Sequence, residues 1–499
     1  MKAGCRCWSF LFVIFLCAPL GATDAPLADA VQRADRAAVG QLLRRSAAVN
    51  QAQPDGTTAL HWAIYHDDLE LVNLLLGGGA DVHAVNRYGV TALSLACTNG
   101  NGAIVRRLLE AGADPNTTLP GGETALMTCA RTGRVEAVQA LLEAGARVDA
   151  REPRSGQTAL MWAAAEGHAD VVRLLIRHGA DLRLRLASGM TALLFAVREG
   201  RLEVVKALLE AGADPNETVE SSLERPSGYM VNRLTVRAPR RGTTALMLAV
   251  ANAHFELASY LLDHGADPNA SGPGYTALHL ITHVRKPGGG DNDPPPLGSG
   301  SMTSLEMVRK LVSKGAQINA RMTKKVNFGL TNLNTLGATA FLLAAKTADA
   351  ELMRLLASLG ADPLLPNADN STPLIVAAGL GTRSPGEDAG TEAEVMEAVE
   401  VALELGNDIN AVDNNGETAM HGAAYKNLPG VVELLARRGA RIEVWNRPNK
   451  WGWTPLTIAR GYRFGNYKPS PETVAAISRV MLAAGVTPPP DNPPVAAAR

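Results

Sequence analysis

The tripeptide Thr-Ala-Leu returns along this chain at a nearly fixed interval, and that periodicity restricts the fold more than any other feature. It begins at Thr58, Thr91, Thr124, Thr158, Thr191, Thr244 and Thr276, with variants at Thr339, Thr372, Thr418 and Thr454. The first five copies lie 33, 33, 34 and 33 residues apart. A second landmark, Leu-Leu-x-x-Gly-Ala, sets Gly79, Gly112, Gly145, Gly179 and Gly212 at matching spacing, with related glycines at Gly265, Gly315, Gly360, Gly406, Gly439 and Gly485. Such a period marks a repeat array, in which each unit buries its apolar face only by stacking on its neighbours. The 499 residues therefore do not divide into the roughly three globular domains that length alone gives.

Within a unit the residues read as a helix pair. Gly56, Gly89, Gly122, Gly156 and Gly189, two positions before the Thr, supply a turn, and the Thr hydroxyl caps the first helix by accepting an orphan backbone N–H. Leu71, Val72, Leu74 and Leu75 form the apolar stripe of the second helix, and Gly79 follows its end, where a left-handed residue closes a helix. Composition agrees: 46% of residues are hydrophobic but only 4% aromatic, so the core is built from Ala, Leu and Val, small enough for helices to approach closely.

These landmarks resemble the ankyrin-repeat family. The resemblance rests on Gly212-Ala213-Asp214-Pro215-Asn216, Gly265-Ala266-Asp267-Pro268-Asn269 and Thr276-Ala277-Leu278-His279, and covers about residues 24–488. It implies an all-α repeat solenoid of about twelve repeats, each two antiparallel helices with a β-hairpin finger. Residues 24–54 read as a degenerate N-terminal capping repeat, 55–216 as regular repeats, 242–445 as repeats with loop insertions, 446–488 as an aromatic-rich capping repeat and 489–499 as a disordered tail.

The insertions are the informative deviations. A long finger at 217–241 carries Arg225, Arg233, Arg237, Arg240 and Arg241, and a second at 320–337 carries Arg321, Lys324 and Lys325. Strand character in residues 229–236 suggests an extended hairpin. Three inserts fall between the helices of their units, at 284–302, at 379–391 and in the last unit between Thr454 and Gly485. The Pro- and Gly-rich stretch 286–301 is expected to be disordered, and 379–391 is of similar composition.

Lys2 and Arg6 precede an apolar run from Trp8 to Cys17 and then Gly21 and Ala22, the pattern of a cleavable signal peptide over residues 1–22. The expectation is a periplasmic or secreted protein, cleaved after Ala22, with no membrane span. The net charge of -1 gives no bulk attraction to nucleic acid. Cys97 and Cys129 remain after the first twenty residues; their different offsets from the repeat Thr predict buried thiols without a bridge.

No residue pattern points to catalysis, a cofactor or a metal. A phosphate-binding Gly-rich loop, a His-Glu-x-x-His helix and a Gly-x-Ser-x-Gly turn are all missing from the sequence. His61, His279 and His421 occupy the Thr-x-x-His position, and His279 with His283 lacks a third ligand. The protein reads as a non-enzymatic, monomeric scaffold. The resemblance implies protein binding through a concave face lined by first helices and fingers, and the locally basic fingers suggest a partner with an acidic surface. Positions seven and eight after each Thr vary most: Tyr65, His66, Thr98, Asn99, Arg131, Thr132, Arg198, Glu199, Lys346, Tyr425 and Lys426. With Arg233, Arg237, Arg240, Arg241, Lys324 and Lys325 they form the candidate binding set. The alternative is a carbohydrate or envelope-polymer binder built on Trp445, Trp451, Trp453, Tyr462, Phe464 and Tyr467, with Arg460, Arg463 and Lys468 beside them.

Overall fold

The computed structural model describes residues 25–45, 48–220, 239–288, 296–329, 331–463 and 469–491. Among the described residues lie 25 α-helices and no sheet, the only extended pairings being isolated bridges. The chain forms two compact units, Met1–Arg154 and Ser155–Arg499. Residues 1–22, proposed as a signal peptide, and Arg233 and Arg237 of the long finger lie outside the described residues.

In the first unit the capping logic is explicit. Thr58 is extended (φ −99°, ψ 169°) and caps helix Ala59–Tyr65, while its backbone N–H donates to His61 Nδ1 at 3.3 Å. At the next repeat Ser94 N–H donates to Thr91 Oγ1 at 3.1 Å, and Thr91 N–H donates to Ser94 Oγ at 3.0 Å. This reciprocal box satisfies two orphan donors per helix, and each cap stabilises its helix by about 1 kcal/mol. Gly89 before the Thr has φ +73°, and a side chain there would overlap the ring of Pro120 in the following finger, so finger stacking forbids anything larger.

A recurrent asparagine ties each repeat to the next. Asn50 donates to the carbonyl of Gly79 at 2.9 Å and accepts from Asp81 N–H at 2.6 Å. Asn116 does the same with Gly145 and Arg147 at 3.4 and 2.9 Å. One amide thus satisfies a carbonyl past the second helix and a backbone donor 31 residues on, the physical reason for Asn in the Gly-Ala-Asp-x-Asn landmark. Ala59, Leu60, Ala63, Ala92, Leu93 and Ala96 of the first helices are at most 1% exposed, and small side chains let these helices lie close.

Cys97 and Cys129 form a disulfide, with Cα atoms 4.8 Å apart, which corrects the expectation of unbridged thiols. Helices Ala92–Asn99 and Ala125–Thr132 are neighbours. Neighbouring helices in a row face each other with opposite flanks, so a pair that meets must sit at different offsets. The unequal offsets place the sulfurs face to face, within the roughly 4.4–6.8 Å Cα range that a bridge spans.

The second unit repeats the scheme. Thr158, Thr191, Thr244, Thr339 and Thr372 cap their first helices through their hydroxyls, and Asn216 and Asn269 bridge to Gly265 and Gly315 at 3.0 and 2.9 Å. Its inserts alter the surface. After the short helix Pro373–Ala377 the chain leaves the helix pair and returns at Glu392–Glu404. Gly379 starts this excursion with φ +120°, and no Cβ fits there because Gly422 O would lie 2.6 Å from it. Residues 379–391 form an ordered strap, unlike the disordered loop that their composition suggests. Thr331 and Thr382 form an antiparallel bridge, and Asn332 N–H donates to Gly381 O at 2.8 Å, so finger 320–337 and the strap meet.

The other insert is anchored where it is described; residues 289–295 lie outside the described residues. Lys286 Nζ donates to Glu394 Oε1 at 2.8 Å and to Ala348 O at 3.0 Å. Ser299 Oγ lies 2.9 Å from His254 Nδ1, and Ser301 N–H donates to Glu256 Oε1 at 2.7 Å. Polar partners on neighbouring repeats hold these flanks in place of a core.

Candidate functional site

The variable positions after each first helix fall into two environments. In the first unit they face solvent. Tyr65 is 52% exposed and makes an edge-on contact with Trp62 at 5.5 Å and with His66 at 5.5 Å. Asn99 donates to Ile64 O at 2.6 Å, Thr132 bonds back to Cys129 O at 3.0 Å, and Arg131 lies 3.6 Å from Glu123 across a half-exposed ion pair. On the adjacent finger Val85 and Tyr88 are about half exposed. A cleft of about 670 Å³ opens between successive fingers there, lined by Val85, Leu93, Leu119, Pro120 and Pro153. Open, amphipathic and aromatic-bearing, this surface suits contact with another protein.

In the second unit the cations separate. Arg198 pairs with Glu199 at 2.8 Å and lies 5.0 Å from the Phe195 ring. Arg241 pairs with Glu220 at 3.2 Å, and Lys324 Nζ donates to Gly272 O at 3.0 Å. Lys325 is exposed and Arg240 half-buried, and the Arg321 guanidinium donates to Pro366 O at 3.0 Å. Finger cations therefore reach the surface, most of them already tethered to backbone or to an acid.

Lys346, Tyr425 and Lys426 do not belong to an open face, which corrects their place in the candidate set. The strap covers the two lysines, Lys346 pairing with Asp388 and Lys426 Nζ donating to Ala389 O, while Tyr425 is buried with its hydroxyl on Glu417. All three are at most 9% exposed. Burial pushes the Lys426 ammonium down to about 8, helped by the nearby Lys346 charge.

Finger and strap together close a cleft of about 380 Å³. One wall is a chain of polar side chains along consecutive fingers. Asn334 donates to Asp369 Oδ1 at 2.9 Å, Asn415 donates to Asp369 Oδ2 at 3.4 Å, and Lys450 Nζ donates to Asn415 Oδ1. The floor is Glu417, 2% exposed, whose Oε1 accepts from Tyr425 OH at 2.8 Å and from Asn449 Nδ2 at 2.8 Å. Burial pushes the Glu417 carboxyl up to about 7, with Asp413 adding repulsion. Trp451 and Trp453, stacked at 5.7 Å, form the end wall, and Lys450 Nζ is 4.5 Å from the Trp451 ring centroid.

The aromatic cluster is thereby divided. Trp445 is 2% exposed and part of the core, Trp451 and Trp453 line the cleft, and Phe464, Tyr467 and Lys468 lie outside the described residues. Arg460 donates to Pro489 O at 2.8 Å. Sequence reasoning missed Glu417. Its signal is an acid immediately before the repeat Thr, where most units carry an uncharged residue such as Val90, Met190 or Ala338.

His61, His279 and His421 serve the capping boxes of their helices. His279 lies 2.8 Å from Thr276 Oγ1 through Nδ1 and 3.2 Å from Ala338 O through Nε2, which leaves neither nitrogen for a metal. Burial lowers its pKa to about 4. Among the described residues no group of three His, Cys, Asp or Glu side chains could hold a metal ion, and no helix is long and apolar enough to cross a membrane.

Capped helix pairs with stacked fingers, linked by a recurrent asparagine, define a helical repeat protein. Models of ankyrin repeats match residues 27–119, 67–152, 104–185, 147–219 and 223–287, and a further ankyrin model matches 392–436. The chain belongs to the ankyrin-repeat family. It is 34% identical over 219 residues to human Ankyrin repeat and SOCS box protein 16, a match covering 44% of this chain and 40% of that protein. It is 44% identical over 50 residues to a putative ankyrin repeat protein of fowlpox virus, covering 10% of this chain and 12% of that one. The chain thus spans less than half the length of the curated relatives that it matches.

Proposed function

We propose that this protein is a non-enzymatic, exported scaffold that binds another protein through the open first-helix and finger surface. Ankyrin repeats generally mediate protein–protein interaction, and the observation that carries this reading is the contrast between the two environments. Tyr65, at 52% exposure, stays open, whereas the equivalent Lys346 is covered by the strap and the equivalent Tyr425 is buried. The proposed partner docks on the early repeats and on the finger cations Arg240, Arg241, Lys324 and Lys325, of which the last three are exposed; together they favour an acidic surface. The Cys97–Cys129 disulfide supports export, since such bonds persist in oxidising compartments, and accords with the proposed signal peptide. The chain is expected to act as a monomer in the periplasm or outside the cell.

Affinity capture from the envelope fraction tests this, using the oxidised chain beside a Tyr65→Ser/Tyr88→Ser variant and an Arg240→Ser/Arg241→Ser/Lys324→Ser/Lys325→Ser variant. Proteins captured by the parent and lost from either variant support the surface assigned. Identical capture by all three overturns it.

A further inference from the structure

Two lysines line the cleft between finger 320–337 and the strap without a carboxylate partner. Lys325 is exposed and makes no hydrogen bond or ion pair among the described residues. Lys450 Nζ donates to Asn415 Oδ1 and lies 4.5 Å from the Trp451 ring centroid, neither of which carries a charge. The two carboxyl groups of the lining are committed elsewhere. Asp369 receives an amide donor on each oxygen, from Asn334 at 2.9 Å and from Asn415 at 3.4 Å. Glu417 accepts from Tyr425 and Asn449, and burial, with Asp413 adding repulsion, pushes its carboxyl up to about 7.

The charge count follows. In mildly acidic water Glu417 holds its proton, so Lys325 and Lys450 face Asp369 alone and the lining carries one positive charge in excess. A concave site with a net charge focuses its field and gathers counter-ions. Donors are available as well. Lys325 and Asn332 keep all their side-chain donors, and Lys450 keeps two of its three. The Ser371 and Thr382 hydroxyls, by contrast, are already given to Asp413 and Asp388. Buried Leu333 and Leu380 supply a small apolar wall. The volume of about 380 Å³ lies near the lower end of the roughly 300–1,000 Å³ of small-ligand clefts. One excess charge suits a monoanion, whereas a dianion would set a second charge against Asp369.

We propose that this cleft binds a small monocarboxylate, a free organic acid whose carboxylate takes hydrogen bonds from Lys325, Lys450 and Asn332 and whose short apolar body lies on Leu333 and Leu380. The site shares Lys325 with the proposed finger set; Lys450 and Asp369 lie outside that set, so the variants below leave the protein-binding reading to its own test.

The experiment is isothermal titration calorimetry on the full oxidised chain at about pH 6, where carboxylates are ionised and Glu417 is not. Acetate, butyrate and benzoate are titrated, with inorganic phosphate and an acetylated triglutamate peptide beside them. At least one of the three acids is expected to bind saturably and more weakly as sodium chloride is added. Lys325→Ser and Lys450→Met are each expected to weaken binding by about tenfold, the loss of one charge-assisted hydrogen bond. Asp369→Asn, which keeps an acceptor for both amides, is expected to tighten it by about threefold, a sign that a neutral or cationic ligand would not give. Circular dichroism and the melting temperature establish that the variants fold. No saturable binding of any of the three acids by the folded parent overturns the proposal, whether or not phosphate or the peptide binds. Affinity unchanged in both lysine variants, or lowered in Asp369→Asn, overturns it as well.

Discussion

Asp388, carried by the strap, pairs with Lys346 at the end of helix Ala340–Lys346 and also accepts a hydrogen bond from Thr382 Oγ1 at 2.6 Å. Side-chain exposure is 8% for Lys346 and 11% for Asp388, so water does little to share the charges. Removing one partner strands the other, at a cost of about 3–5 kcal/mol. Asp388→Ala is expected to lower stability by about 3 kcal/mol in urea unfolding, and Lys346→Met in that background to recover part of it. Equal stability of Asp388→Ala and parent would show that the strap does not cover this lysine.

The Cys97–Cys129 bond closes a loop with a sequence separation of 32. Constraining the unfolded chain over such a loop stabilises the folded state by roughly 3–4 kcal/mol. Thermal melts with and without reductant should separate by several degrees, and the Cys97→Ala/Cys129→Ala variant should melt with the reduced form and ignore reductant. Mass spectrometry after thiol alkylation gives a direct count of free thiols, expected to be none at Cys97 and Cys129 before reduction.

Glu417 gives a pH dependence of defined sign. Its carboxyl is pushed up to about 7 by burial from an ordinary 4.5, so between those values the native state holds a proton that the unfolded state has lost. The stability that this proton represents is complete below pH 4.5 and is lost as pH rises through 7. Glu417→Gln, permanently neutral, should match the parent near pH 4.5 and exceed its melting temperature above pH 7 by several degrees. A melting temperature below the parent's at pH 8 would refute this.

His279 and His421 work in the opposite direction. Burial holds both near 4 against an ordinary 6.5, so the unfolded chain gains protons first as pH falls. Their contribution is present above pH 6.5 and is lost on acidification to about 4. His421→Gln keeps an acceptor for the Thr418 N–H, as glutamine does in a capping box, and should flatten the fall in stability over this interval. Melts from pH 7 to 4 for parent and variant test it.

The repeat was legible because its determinants are local. Thr caps, left-handed glycines and the linking asparagine act within one unit or on the next, and each leaves a fixed residue at a fixed spacing, as Asn50 and Asn116 do. The strap was not legible. Gly379, Gly381, Pro385 and Gly390 read as a polar loop because what orders them is remote: Asn332 across the groove and Lys346 and Lys426 on neighbouring helices. Lys346 and Lys426 misled for the same reason, since a lysine at a variable position looks solvated until its lid is known. Cys97 and Cys129 misled through geometry, because unequal offsets bring facing flanks together. Glu417 was visible as an unusual residue before its Thr, but its burial required the finger and the strap.

The link from Lys286 to Glu394 joins residues 108 apart and reaches past the intervening helix pair. Repeat arrays are held by contacts between adjacent units and can fray one unit at a time. Here the chain from Thr276 to Lys426 is laced by Lys286–Glu394, Arg285–Asp349 and Lys346–Asp388, so a unit in the middle cannot open without releasing those on either side. Under mechanical load this stretch is expected to give way in one event, as a latch rather than a zipper, while among the regular repeats before it only the pair joined by Cys97–Cys129 is held covalently.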